Sequence, residues 1–200
     1  LGQGETEGVF QLESSGMKQV LVGLQPQNLE DVIALISLYR PGPMDSIPTY
    51  LRNRHEPDKI SYKTPQLAHI LDVTNGCIVY QEQVMQIFRE LAGFSFGQAD
   101  NVRRAMSKKK HAVMEAEREH FVHGCTEPGH ECPGCVANGI SEKVANEIYD
   151  EMSSFASYAF NKSHAACYAY VAFQTAYLKC HYPSEFMAAL LTSVLDNTDK

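Results

Sequence analysis

Three stretches carry residues whose types and spacing could do chemistry. The first is Ala99 to Lys110, read as ADNVRRAMSKKK, with Arg103, Arg104, Lys108, Lys109 and Lys110 supplying five of the chain's 17 basic residues. With Asp100 counted it carries a net +4, on a chain whose formal charge is −7. A basic cluster on an acidic chain is a local anion site, not a coat for polyanions. On a helix Arg104 and Lys108 share a face and repel mildly, so a bridging anion would remove a cost. The bland alternative is a solvated helix end, with lysines favoured by the dipole and Asp100 paired to Arg104.

The second stretch is Phe155 to Tyr168, FASYAFNKSHAACY. Lys162, Ser163 and His164 stand at the expected start of an apolar helix, where unpaired backbone N–H groups and the positive dipole end suit phosphate. Asn161 adds a hydrogen-bonding amide, and Tyr158 a flat face for stacking. An ordinary helix cap, with Tyr158 and Phe160 in the core, is the competing reading. Two anion sites in one chain suit a ligand with several phosphates.

The third stretch is Cys125, His130, Cys132 and Cys135, spaced C-x4-H-x-C-x2-C. Three thiols and an imidazole match a structural zinc set in number and kind, and Cys132-Pro133-Gly134-Cys135 has the tight turn such sites favour. A flexible insertion with incidental thiols is the alternative. A fourth constellation, Cys167 with His164 as a thiol–imidazole nucleophile, sits among alanines and tyrosines that look like core.

The elements that must position these residues are helical. Ser14 or Ser15 caps a first helix ending near Gly23 and Leu24, and Asn28 a second, with Glu30 and Asp31 in its first turn. Arg40-Pro41-Gly42-Pro43 stops the second helix. A short helix over Ile47 to Asn53 follows. Thr64-Pro65 opens another to about Asp72, and Asn75-Gly76 turns the chain. Further helices are expected over Gln81 to Ala92 (closed by Gly93), from Ser95 or Gly97 through the basic cluster, over His111 to His123, over Ser141 to Ser154, from Ser163 to Cys180, and over Ser184 to Leu195. Val9 to Leu12 and Cys77 to Tyr80 are the only strand candidates. The fold class is therefore mainly α, with short β segments at most.

Hydrophobic residues make up 44% of the 200, enough for a core, and no apolar run is long enough to span a bilayer. Cys77, Cys167 and Cys180, each single among apolar residues, read as reduced core thiols of a cytoplasmic protein. The chain opens on Leu1, not Met, and ends on a polar DNTDK after an apolar helical pattern, so it reads as a piece of a longer protein.

GVFQLESSGM, LYRPGPM, YQEQVM, ADNVRRAMSKKK and YAFNKSHAACYA occur in this order from about Gly8 onward. Together they resemble the bacterial replicative DNA polymerase III alpha subunits, the C family of DNA polymerases. The resemblance implies that residues 1–12 are the end of a palm and residues 13–200 a helical fingers domain, with a Cys-rich insertion at about 124–139. It implies that the domain holds the incoming deoxynucleoside triphosphate on primed template DNA during chromosome replication. Carried over by motif, Arg103, Arg104, Tyr158, Asn161, Lys162 and His164 contact that nucleotide, with Arg40 and Ser14 as further candidates. Arg40 as a loop brace and Ser14 as a helix cap are the structural alternatives.

The family usually has Gly where this chain has Ser107, which would be strained if that position needed positive φ. No Asp-x-Asp occurs in the sequence, and the family's magnesium ions are held by such palm aspartates. The chain alone should therefore bind substrate without completing the chemistry. The resemblance also implies partners reached through other regions, the sliding clamp and other replisome subunits, and no membrane. A zinc-bearing helical module that binds nucleic acid without catalysis is the alternative, disfavoured because the cysteine cluster lacks flanking Lys or Arg.

Overall fold

In the computed structural model, which describes residues 1–108, 111–156 and 160–195, the chain is built almost wholly of helices. Eleven α-helices lie among the described residues: α1 Ser15–Leu24, α2 Leu29–Leu38, α3 Ile47–His55, α4 Ala68–Leu71, α5 Gln81–Ala92, α6 Phe96–Ser107, α7 His111–His123, α8 Gly134–Ala137, α9 Glu142–Ala156, α10 Lys162–His181 and α11 Pro183–Ser193. The expected mainly α class holds. Of the two strand candidates, Val9 to Leu12 is a pair of turns, with Val9 N–H donating to Thr6 O and Leu12 N–H to Val9 O. Gln11 between them takes φ +65°, which no strand allows. Cys77 to Tyr80 yields one isolated parallel bridge, Tyr80 with Phe160.

Side-chain caps set the starts of α1, α2 and α6. Ser14 Oγ accepts from Met17 N–H at 3.3 Å, and Asn28 Oδ1 from Asp31 N–H at 2.9 Å. Ser95 and Gln98 form a reciprocal capping box at the start of α6. The first helix runs through Leu24, as expected, and is followed by a left-handed C-cap at Gln25, φ +50°. The helix expected after Pro65 is broken into a 3-10 turn, the single turn α4 and a second 3-10 turn. Thr64 makes no side-chain cap there.

The chain divides into two units, one of Leu1–Tyr39 with Ser163 onward, the other Arg40–Lys162. The first unit buries Leu12, Met17, Leu21, Leu24, Leu35 and Leu38 with Ala165, Ala169 and Ala172 of α10. The alanine spacing of four and three draws one stripe down that helix. Cys167 falls off the stripe and is exposed, as is Cys180 in the last turn; of the three expected core thiols only Cys77 is buried.

In the second unit α5 is the central helix, packed on α6, α7, α8 and α9. Phe88 lies within 5.0 Å of Phe121, 5.3 Å of Phe94 and 6.0 Å of Tyr149, centroid to centroid. These rings stand edge-on or tilted, the favoured arrangement for aromatic pairs. Beneath α5, Gln83 is 4% exposed and uses both ends of its amide. Its oxygen accepts from Val79 N–H at 2.9 Å and Tyr80 N–H at 3.0 Å. Its nitrogen donates to Ile70 O at 3.0 Å and Thr74 Oγ1 at 2.8 Å.

The Cys-rich segment is pinned at its ends by two glycines whose backbones meet. A Cβ on Gly134 (φ +79°) would lie 2.3 Å from Gly124 N. Such a contact and the positive φ both require glycine. Gly134→Ala is expected to cost about 2–4 kcal/mol, read as a lowered denaturant midpoint; an unchanged midpoint would contradict this close crossing.

Candidate nucleotide site

The basic and Asn-Lys stretches meet at the first turn of α5. Arg103, one turn before the end of α6, points along that helix and across to α5. Its Nε and Nη2 donate to Asp100 Oδ1 at 3.0 and 2.7 Å, and its Nη1 donates to Gln81 Oε1 at 3.0 Å. These contacts use three of the five guanidinium N–H groups. Arg104 pairs with the other oxygen of Asp100, Nη2 to Oδ2 at 2.7 Å, and is 64% exposed against 19% for Arg103. The bonds from Arg103 above all, and then from Arg104, hold the Asp100 carboxyl below its usual range. It therefore stays ionised near neutral pH and fixes both guanidinium groups. The expected Asp100–Arg104 pair is present, and Asp100 serves Arg103 as well.

Phe160, Asn161 and Lys162 reach the same turn from the other side. Gln81 N–H donates to Phe160 O at 3.0 Å. Asn161 Nδ2 donates to Glu82 Oε1 at 3.0 Å. The backbone N–H of Lys162 donates to both Glu82 oxygens at 3.2 Å, so the carboxylate meets the open N–H groups of the helix start. Lys162 Nζ lies 5.3 Å from the centroid of the buried Tyr80 ring. The Arg40 guanidinium stacks 3.3 Å from the Phe160 centroid, a brace on the same segment.

Arg103 and Asn161 line one cleft of about 480 Å³, with Gln81, Glu82, Met85 and Phe96. Phe96 is 64% exposed at its rim, an apolar face beside a guanidinium and an amide. Arg104, Lys162 and Arg40 stand near the cleft without lining it. Tyr158, Lys109 and Lys110 lie outside the described residues.

Ser14 and His164 belong to the other unit. Ser14 caps α1, and the His164 ring stacks on Tyr168 with centroids 4.4 Å apart. Ser107 is helical and absent from the positive-φ positions; its hydroxyl donates to Arg103 O at 3.0 Å, so a serine is accommodated without strain. Sequence reasoning did not single out Gln81, Glu82 or Phe96. The YQEQVM motif held the first two, but nothing in their spacing announced which distant residues they would meet.

The cysteine segment fits zinc in kind but not in placement. Cys125 and Cys132 exchange backbone hydrogen bonds, each 2.9 Å, and Cys132 Sγ faces His120 O at 3.5 Å. Cys135 is fully buried in the α5 core, where burial, then Cys132, pushes its thiol up to about 12. His130 is exposed at the turn. Among the described residues no three His, Cys, Asp or Glu side chains gather to hold a metal. Burial predicts slow reaction of Cys135 with thiol reagents compared with the exposed Cys167; equal rates would contradict it.

Among the described residues no helix is long and apolar enough to cross a membrane. The described residues are thus all-α, with Arg89, Arg103 and Asn161 lining one cleft. The sequence model of the bacterial DNA polymerase III alpha subunit finger domain matches residues 1–129, and the chain belongs to that family. The chain is 51% identical over 205 residues to the DNA polymerase III subunit alpha of Thermus aquaticus, a match covering all of this chain and 16% of that protein. It is 46% identical over 200 residues to the subunit alpha of Staphylococcus aureus strains Mu50 and N315, covering all of this chain and 18% of each. The chain thus spans under a fifth of the length of these relatives.

Proposed function

We propose that this chain is part of a DNA-directed DNA polymerase, and that it binds the incoming deoxynucleoside triphosphate and positions it on primed template DNA during chromosome replication in the cytoplasm. The observation that carries this reading is the convergence of Arg103 and Asn161, from two distant motifs, on one cleft. Arginine presents a fork of donors that matches phosphate oxygens, and Asn161 offers an amide beside it. Phe96 and Met85 give the cleft an apolar wall of the kind a sugar or base covers. The acidic groups there are already engaged: Asp100 by both arginines, Glu82 by Asn161 and Lys162, and Glu90 by His69 and by Gln86 at 2.7 Å.

In this reading Arg103 binds phosphate oxygens while Asn161 orients the nucleotide. Arg104 and Lys162 raise the local positive potential, and Arg40 braces the Phe160 segment. Magnesium supplies the charge neutralisation and nucleophile activation of phosphoryl transfer, held by palm residues beyond this chain. The sliding clamp and other replisome subunits engage the polymerase through other regions.

Equilibrium binding of nucleotide to the intact polymerase on primed template tests the reading. Arg103→Ala and Asn161→Ala should both loosen nucleotide while primed-DNA affinity holds. Unchanged nucleotide affinity in both variants would remove it. The chain alone should extend no primer.

A further inference from the structure

We propose that Gln81 and Glu82, consecutive residues in the first turn of α5, are positioning residues that hold the two halves of the nucleotide site in register. The inference rests on the nucleotide reading above and adds the residues that make the site one object. Arg103 and Asn161 lie 58 positions apart in the sequence and belong to segments with no helix in common. Both are fastened to the same turn. Gln81 does two things there: its side-chain oxygen accepts from Arg103 Nη1 at 3.0 Å, and its backbone N–H donates to Phe160 O at 3.0 Å, part of the bridge between Tyr80 and Phe160. Glu82 accepts from the Asn161 side-chain amide at 3.0 Å and from the Lys162 backbone N–H at 3.2 Å.

The chemistry of the two acceptors differs in a way that suits the task. A neutral Gln oxygen orients Arg103 without neutralising it, leaving its charge to be shared between Asp100 and an incoming phosphate. A carboxylate at Glu82 accepts only, so it fixes which end of the Asn161 amide faces it and turns the amide oxygen away. The turn that carries both is itself held from below by the fully bonded Gln83, so the acceptors stand on a rigid base.

The test is a double-mutant cycle in the intact polymerase. Glu82→Ala is expected to lower kcat/KM for nucleotide by about two- to tenfold, the worth of one net hydrogen bond. Primed-DNA affinity and thermal midpoint should stay near wild type. In an Asn161→Ala background the same change should cost markedly less, because Glu82 acts through Asn161. Glu82→Gln, which retains one acceptor oxygen, should fall between. Gln81→Ala should show the same dependence on Arg103. The proposal is overturned if Glu82→Ala leaves nucleotide kinetics unchanged. It is also overturned if its cost is the same with and without Asn161, or if stability and DNA affinity fall in step with nucleotide use. If Glu82→Ala is silent while Asn161→Ala weakens nucleotide use, the positioning role fails and the nucleotide site stands. If Asn161→Ala is itself silent, both fall.

Discussion

Replacing Arg103 by Ala in the intact polymerase is expected to lower kcat/KM for nucleotide by about tenfold to over a hundredfold, the worth of one hydrogen bond to a charged group. Primed-DNA affinity should change little. Of the pair, Arg103 is the one that lines the cleft, where Arg89 also stands; it is the less exposed, and two of its N–H groups remain after its bonds to Asp100 and Gln81. Arg104→Ala should cost less, because Arg104 stands outside the cleft and is 64% exposed. Arg103→Lys should recover only part of the loss, since an ammonium cannot bond Asp100, Gln81 and a phosphate with one planar fork. If the contact tightens as charge develops on the transferring phosphoryl group, kcat falls along with kcat/KM. Equal and near-normal kinetics in both alanine variants would leave the arginines as partners of Asp100 alone.

Gln83→Leu should be the most damaging conservative-sized change to stability. Leucine fills similar volume but strands Val79 N–H, Tyr80 N–H and Ile70 O in a buried place, whereas Thr74 Oγ1 keeps its contacts with Leu71 O and Cys77 O. At about 1–3 kcal/mol for each stranded group, eased by local hydration, the loss should be about 3–5 kcal/mol. That corresponds to a thermal midpoint lowered by about 10 °C in a domain of this size. Calorimetry of the variant checks it, and a midpoint within a degree or two of wild type would show that the amide is not the keystone of the α5 base. Gln86→Ala provides a contrast, because Gln86 is only half-buried and its amide bonds Glu90 at the surface.

Much of the helical scaffold was legible because it is written locally. Ser14, Asn28 and Ser95 are caps whose side chains bond within their own first turn, and Gly93 closes α5 where the sequence puts it. Val9 to Leu12 misled because short apolar runs look like strands, and what decides them is the turn geometry at Gln11. Cys167 misled because apolar neighbours do not say which face of α10 is buried; the stripe of Ala165, Ala169 and Ala172 does. The arginine pair and Asn161 were legible as residue types in motifs. Their meeting through Gln81 and Glu82 was not, because it depends on long-range packing of α5 against α6 and the Phe160 segment. The cysteine spacing announced possible zinc donors but not that Cys132 and Cys135 would join the α5 core with Cys125 packed against it.

The most direct measurement of the central claim is photo-crosslinking of a phosphate-modified deoxynucleoside triphosphate to the intact polymerase on primed template, followed by peptide mapping. Label is expected within Phe96 to Lys108 and within Phe160 to Lys162, lost on competition with unmodified nucleotide and reduced in Arg103→Ala. Competed label confined to regions outside this chain, with both of those peptides clean, would contradict it.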